Sequence, residues 1–160
     1  MDPISQTLAT NALWQGIVAS TRWVFGTKIR ITHPRPHEIL TDAQPLGSSV
    51  KFPVRGTLKR LPKDHEIWVL TQDDATGKVR PQGFQMVEFN PEIGKWTGWI
   101  NGSGRTDVRI VAVVAPPTSH DFFRYFQKLG ELREWAFEPL DRIPPECTNL
   151  AWVQAKVPKR

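Results

Sequence analysis

The chain has 160 residues, 39% hydrophobic and 23% charged, which excludes a mostly disordered chain and suits one domain with its own core. Its net charge of +5 favours anionic partners, although the longest basic cluster, Lys59-Arg60 with Lys63, is short. The single cysteine, Cys147, excludes an intrachain disulfide and a zinc site built from paired cysteines.

Residues 1–26 are expected to form an N-terminal amphipathic helix, and residues 27–158 a β-sandwich. Asp2-Pro3 suits a helix start and Gly26 suits the cap after the last turn. Over 4–25, Leu13, Trp14, Ile17, Val18, Val24 and Phe25 share one arc, and Asn11, Gln15 and Arg22 lie opposite. That arc needs a cover: the body of the same domain, a second copy, a protein partner or a membrane surface. The polar side lacks the Lys/Arg density of a membrane-surface helix. The stretch is cut by Gln15 and Arg22 and is too short to span a bilayer, so no transmembrane segment is expected. Residues 1–12 carry no basic leader pattern, and the cytoplasm is the expected compartment.

From Lys28 the chain reads as short alternating runs. Residues 28–32 alternate and end at His33-Pro34-Arg35-Pro36, a proline-stiffened loop. Val50, Phe52, Val54 and Leu58 alternate around Gly56. Residues 67–71 form an apolar run containing Trp68. Asp73-Asp74-Ala75-Thr76-Gly77 reads as a hairpin turn. Residues 79–89, with Pro81 and Gly83 inside, predict an edge or bulged strand. A turn over 90–94 precedes a strand over 95–101. Residues 108–115 are apolar and β-branched, as in a central strand. Thr118 or Ser119 is the expected N-cap of a helix over about 118–130, in which Phe122, Tyr125, Phe126 and Leu129 recur at helical spacing and Gly130 closes the end. A last strand over 149–157 alternates Ala151, Val153, Ala155 and Val157. The whole predicts a mostly β fold: an antiparallel sandwich of seven or eight strands, with a helix inserted before the last one.

The runs VRGTLKRLPKDHEIWVL, GKVRPQGF, GKWTGWI and VRIVAVVA, the last followed by a helix, give the chain a family likeness over about residues 28–158. It resembles a loosely defined group of bacterial immunoglobulin-like β-sandwich domains of uncharacterised function. Their pattern is a Val-x-Gly strand end, a Leu-Pro loop, an Ile/Leu-Trp strand, a Trp-Pro-Gln strand, a Gly-x-Trp strand and an Ala-Val-Val strand. Arg80 stands where that pattern has the tryptophan of Trp-Pro-Gln. The resemblance implies an immunoglobulin-like fold. Some such domains occur beside membrane segments or in nucleotide-signalling anti-phage defence proteins. It carries over no catalytic residue, because its motifs are core and turn motifs.

No catalytic constellation emerges. Ser119-His120-Asp121 holds three triad residue types, but adjacent positions in one helical turn cannot form a relay, and capping explains them. Asp73 and Asp74 belong to turn chemistry. His33 and His37 beside Glu38 lack a third metal ligand unless His65 or His120 supplies it. Gly102-Ser103-Gly104-Arg105 is too short for a phosphate loop. No cofactor and no metal is expected.

The binding candidates are Lys59, Arg60, Lys63 and His65 in one loop, Arg80 and Gln82 in the strand after the next turn, and Arg105 after Asn101. If these loops converge at one end of the sandwich, they form a rim for an anionic small ligand. Alternation places Trp99 and Trp152 on polar strand faces, as stacking platforms or interface anchors, with Trp68 in the core. No cluster interleaves aromatic and basic residues as single-strand nucleic-acid binders do. The expected function is a non-catalytic binding or protein-interaction module, self-associating or docking a partner through the helix over 4–25. The alternatives are a sensor of an anionic nucleotide or cyclic oligonucleotide, and a carbohydrate-binding module.

Overall fold

The computed structural model describes residues 28–102, 107–136 and 139–159. The helix expected over 4–25, with Leu13, Trp14, Ile17, Val18, Val24 and Phe25, lies outside the described residues, and so does Arg105. Among the described residues the strands are β1 (Arg30–His33), β2 (Gln44–Leu46), β3 (Ser49–Thr57), β4 (Glu66–Gln72), β5 (Val79–Pro81), β6 (Glu88–Asn90), β7 (Lys95–Asn101), β8 (Asp107–Ala115) and β9 (Leu150–Lys156), with helix α1 (Pro117–Leu132) between the last two. The fold is mostly β. Two antiparallel sheets lie face to face: sheet I in the order β1-β3-β7-β6, with β2 also pairing β3, and sheet II in the order β5-β4-β8-β9.

Two apolar layers hold the elements together. Phe52, Val54 and Trp96 of sheet I meet Ile67, Val69, Ile110 and Val153 of sheet II in the core between the sheets. On the other side of sheet II, Trp68, Leu70, Val111 and Val113 pack under Phe123 of α1 and against Cys147. β4 and β8 are therefore covered on both faces, which is why their sequences are continuous apolar runs. Trp68 is buried as expected, but in the layer under the helix. Among the described residues, the tryptophan inside the sandwich is Trp96.

β3 carries a proline at its middle, where a ladder bond would normally be lost. β1 pairs with residues 55–57 of β3, and β2 pairs with residues 49–51. Pro53 falls in the gap between them, so no strand asks for its N–H on that side. Gly56 has a different role. A Cβ there would stand 2.0 Å from the Arg30 carbonyl oxygen and 2.3 Å from the Trp96 ring. Only glycine lets β1 and the indole close on β3 at that point.

Two expectations need correcting. The run over 79–89 is not one strand: β5 joins sheet II and β6 joins sheet I, and residues 82–87 cross between them. α1 starts at Pro117, its N-cap is Pro116 without a side-chain cap bond, and it runs past Gly130 to Leu132. Ser119 does not cap because its hydroxyl donates to Glu146 Oε1 at 2.7 Å instead.

Candidate functional site

The expected rim does not form as one cluster. Lys59, Arg60, Lys63 and His65 lie in the connection that leads into β4 at Glu66, and His65 Nδ1 bonds the Lys63 carbonyl at 2.8 Å. Arg80 pairs opposite Thr71, five positions along β4 from Glu66, which at about 3.3 Å per residue is roughly 17 Å away. Arg80 and Gln82 instead line a cavity of about 260 Å³ with Thr71, Asn101, Gln127 and Trp135. Gln82 is fixed there by both ends of its amide. Its Nε2 donates to Thr71 Oγ1 at 3.3 Å, and its Oε1 accepts the Asn101 N–H at 2.9 Å.

Lys59 faces a different hollow, of about 480 Å³, with Lys28, Arg30 and Glu92. Lys28 and Arg30 also line a groove of about 660 Å³ along the lateral seam between the sheets. Its floor is Ile31 and Val153, and its walls include Arg35 and Trp152. Among the described residues, Lys28, Arg30 and Arg35 therefore converge on β1 and its flanks. Sequence reasoning placed the positive charge in the β3–β4 loop and missed Lys28, Arg30 and Arg35. Their signal was present, because alternation through Ile29 and Ile31 turns Lys28 and Arg30 outward.

The two tryptophans read as outward-facing differ. Trp99 is half-buried, and Lys51 Nζ sits 4.3 Å from its ring centroid while bonding Gln85 Oε1. That cation occupies a stacking position on the ring. Trp152 is 58% exposed. Arg109 lies 4.4 Å from its ring centroid and is held by an ion pair from its Nε to Asp74 Oδ1 at 2.8 Å. Gln154 Nε2 donates to the other Asp74 oxygen at 2.8 Å, so the support under the indole is fixed.

α1 leaves apolar surface uncovered. Its buried side is Ser119, Phe123, Phe126, Gln127 and Gly130. The predicted stripe of Phe122, Tyr125, Phe126 and Leu129 is centred one flank away. Phe122, Tyr125 and Leu132 are 45%, 62% and 73% exposed. The helix is rotated because Phe123 packs against Trp68, with ring centroids 5.3 Å apart.

The residues considered for chemistry have structural partners. His120 Nδ1 accepts the Trp68 Nε1–H at 2.9 Å. Burial pushes the Cys147 thiol up in pKa, and the hydrogen bond from Ser119 holds Glu146 below its ordinary value. Asp73 Oδ1 accepts the N–H groups of Ala75 and Thr76, both at 2.9 Å, as an Asp does in a turn. His33 Nδ1 is 3.7 Å from Glu38, and among the described residues no three His, Cys, Asp or Glu side chains group as metal ligands do. No described helix is long and apolar enough to cross a membrane.

Comparison with family models, with curated proteins and with solved structures gives no match to this chain.

Proposed function

We propose that the chain is a non-catalytic, self-associating protein-interaction module built on an immunoglobulin-like sandwich. The strand order supports the fold type. Sheet I, β1-β3-β7-β6, runs in the order A-B-E-D, and sheet II, β5-β4-β8-β9, in the order C′-C-F-G. This agrees with the resemblance to bacterial immunoglobulin-like domains. It departs from the antibody pattern at strand C, where Trp68 turns towards α1 and Trp96 of strand E fills the core.

The observation that carries the interaction reading is the outer flank of α1. Phe122, Tyr125 and Leu132 expose aromatic and aliphatic surface along one flank of the helix. Contiguous apolar surface of this kind on a helix marks a contact surface. The sequence of 4–25 adds a second apolar set at helical spacing, Leu13 to Phe25, and two copies can cover such surfaces for each other. Sedimentation of the full chain over a concentration series tests this. The expected result is a concentration-dependent dimer that Tyr125→Glu with Leu132→Glu, or Ile17→Glu with Val18→Glu, shifts to monomer. A wild-type chain that stays monomeric at every concentration overturns it.

A second reading, a sensor of an anionic small ligand such as a nucleotide, is favoured by the cavity that holds Arg80 and the fixed Gln82 amide. Thermal-shift screening against cyclic nucleotides tests it. Stabilisation that Arg80→Ala removes supports this reading, and stabilisation that survives Arg80→Ala places the ligand elsewhere.

A further inference from the structure

β9 is the edge of sheet II, and among the described residues only its second half is covered. Residues 37–40 run beside that half. His37 N–H donates to the Gln154 carbonyl at 2.7 Å, Leu40 N–H donates to the Lys156 carbonyl at 2.8 Å, and Lys156 N–H donates to the Glu38 carbonyl at 2.9 Å. The groups used on β9 belong to Gln154 and Lys156. A strand repeats every two residues, so the N–H and C=O of Trp152 point to the same side. No described strand lies beside them.

The reason is written in the sequence. Extending the pairing backwards along β9 would use Pro34-Arg35-Pro36, and two of these three residues have no N–H. Beyond this point the seam closes again, because Ile29 N–H donates to Asn149 Oδ1 at 3.0 Å. Among the described residues one open bay remains along this edge, the groove of about 660 Å³ beside Trp152.

We infer that this bay takes an extended acidic peptide, which adds as a short strand to β9 at Trp152. Three observations point to that occupant. First, Trp152 presents one donor and one acceptor. A peptide backbone matches both, whereas a phosphodiester backbone only accepts and leaves the carbonyl unmatched. Second, Lys28, Arg30 and Arg35 flank the bay, all three exposed. None of the three side chains forms an ion pair among the described residues, and the nearby Glu38 carboxylate is taken up by the Arg35 N–H at 2.6 Å, so the three cations favour negative side chains on a ligand. Third, the Trp152 indole is already held by Arg109, so little side-chain freedom is lost when it becomes a contact. The floor of Ile31 and Val153 asks for β-branched residues between the acidic ones.

The test uses the full chain, labelled for amide exchange by NMR. The probe is a pool of octapeptides with Asp or Glu at alternate positions and Val, Ile, Thr or Tyr between them. The expected result is exchange of the Trp152 amide slowed by about tenfold or more on saturation with the pool. Arg30→Glu with Arg35→Glu, both surface changes, should weaken binding by about tenfold or more. A pool with Lys for the acidic residues should not bind, and methylating alternate backbone nitrogens of a bound peptide should abolish its binding. Four results overturn the inference. These are equal binding of the methylated peptide, an oligothymidylate that binds more tightly than the pool, no change at Trp152, and a Trp152 amide already slow in the free chain. The last would mean that residues 1–27 or a second copy fills the bay. Because the bay is separate from the α1 flank, a monomeric chain that binds the pool leaves this inference standing.

Discussion

Alanine at Gly130 should reverse the sign that the change normally has inside a helix. Gly→Ala in a helix stabilises by about 0.5–1 kcal/mol, because the unfolded glycine has more freedom to lose. Here a Cβ would stand 2.1 Å from Trp135 Cζ3 and 2.3 Å from its Cε3. The indole lies over Gly130 because the chain doubles back after α1. Trp135 N–H donates to the Gly130 carbonyl at 2.8 Å, and Glu134 and Trp135 take φ values of 50° and 61°. Trp135 is 40% exposed, so the rest of it is buried. Taking about 150 Å² for that part, at ~25 cal/mol/Å², gives a ceiling of about 4 kcal/mol. If the ring re-seats and keeps half of that burial, about 2 kcal/mol is lost against at most about 1 gained. Gly130→Ala is therefore expected to destabilise by roughly 1–3 kcal/mol, read as a lower urea midpoint with unchanged slope. In a Trp135→Ala background the obstacle is gone, and the same change should stabilise by up to about 1 kcal/mol. Stabilisation of equal size in both backgrounds would refute the argument.

Four further outcomes follow from the packing. Gly56→Ala should abolish the cooperative melt and the near-UV circular dichroism, since neither the Arg30 carbonyl nor Trp96 can move 1 Å without opening β1 or the core; a near wild-type melt would contradict this. Phe123→Ala, at a fully buried ring under α1, should cost about 3–5 kcal/mol in urea unfolding, and a loss below ~1 would show that the helix layer is not a core. The raised Cys147 pKa means that the folded chain keeps a proton which the unfolded chain releases above about pH 8.5, so this part of the stability is fully present below that pH and is lost as pH rises further. The urea midpoint should accordingly fall more between pH 7 and 10 in wild type than in Cys147→Ala. Ser119→Ala should let the Glu146 pKa rise towards its ordinary 4.5 in a carboxyl NMR titration; the stability linked to its lowered pKa is lost as pH falls through that range, and an unmoved titration would remove the Ser119–Glu146 bond from the account.

The parts of the fold legible in the sequence are those where one period and one face suffice. β7 is the predicted 95–101 run, with Trp96, Gly98 and Ile100 inward, and β9 buries Val153, Ala155 and its follower Val157. What escaped was decided by packing between elements. β2 is three residues containing a proline, too short for any periodic signal, and it exists because β3 extends past β1. The 79–89 run has the composition of one strand, yet it changes sheets. Its two pairing partners, β4 and β7, are only brought to opposite sides of it by the sandwich itself. The α1 stripe was read at the right spacing on the wrong arc. Nothing in a helical wheel says that Phe123, and not Phe122, will meet Trp68.

The same limit governs the sites. Convergence of Lys59 with Arg80 was a statement about which ends of β4 their loops occupy, and that depends on the Leu70–Pro81 register, which no local pattern encodes. The bay beside Trp152 depends on something simpler. Pro34 and Pro36 were legible as loop punctuation, and their missing N–H groups were legible too. The sequence could not say that this pair of absent donors falls next to the one stretch of β9 that the following residues, 37–40, leave unpaired. Elsewhere in the chain a proline spares a strand from asking for a bond, as Pro53 does in the gap between β1 and β2. At the seam two prolines deny a bond that the β9 edge is otherwise placed to make. Edges denied a neighbour from their own chain are the places where a sheet can accept one from another.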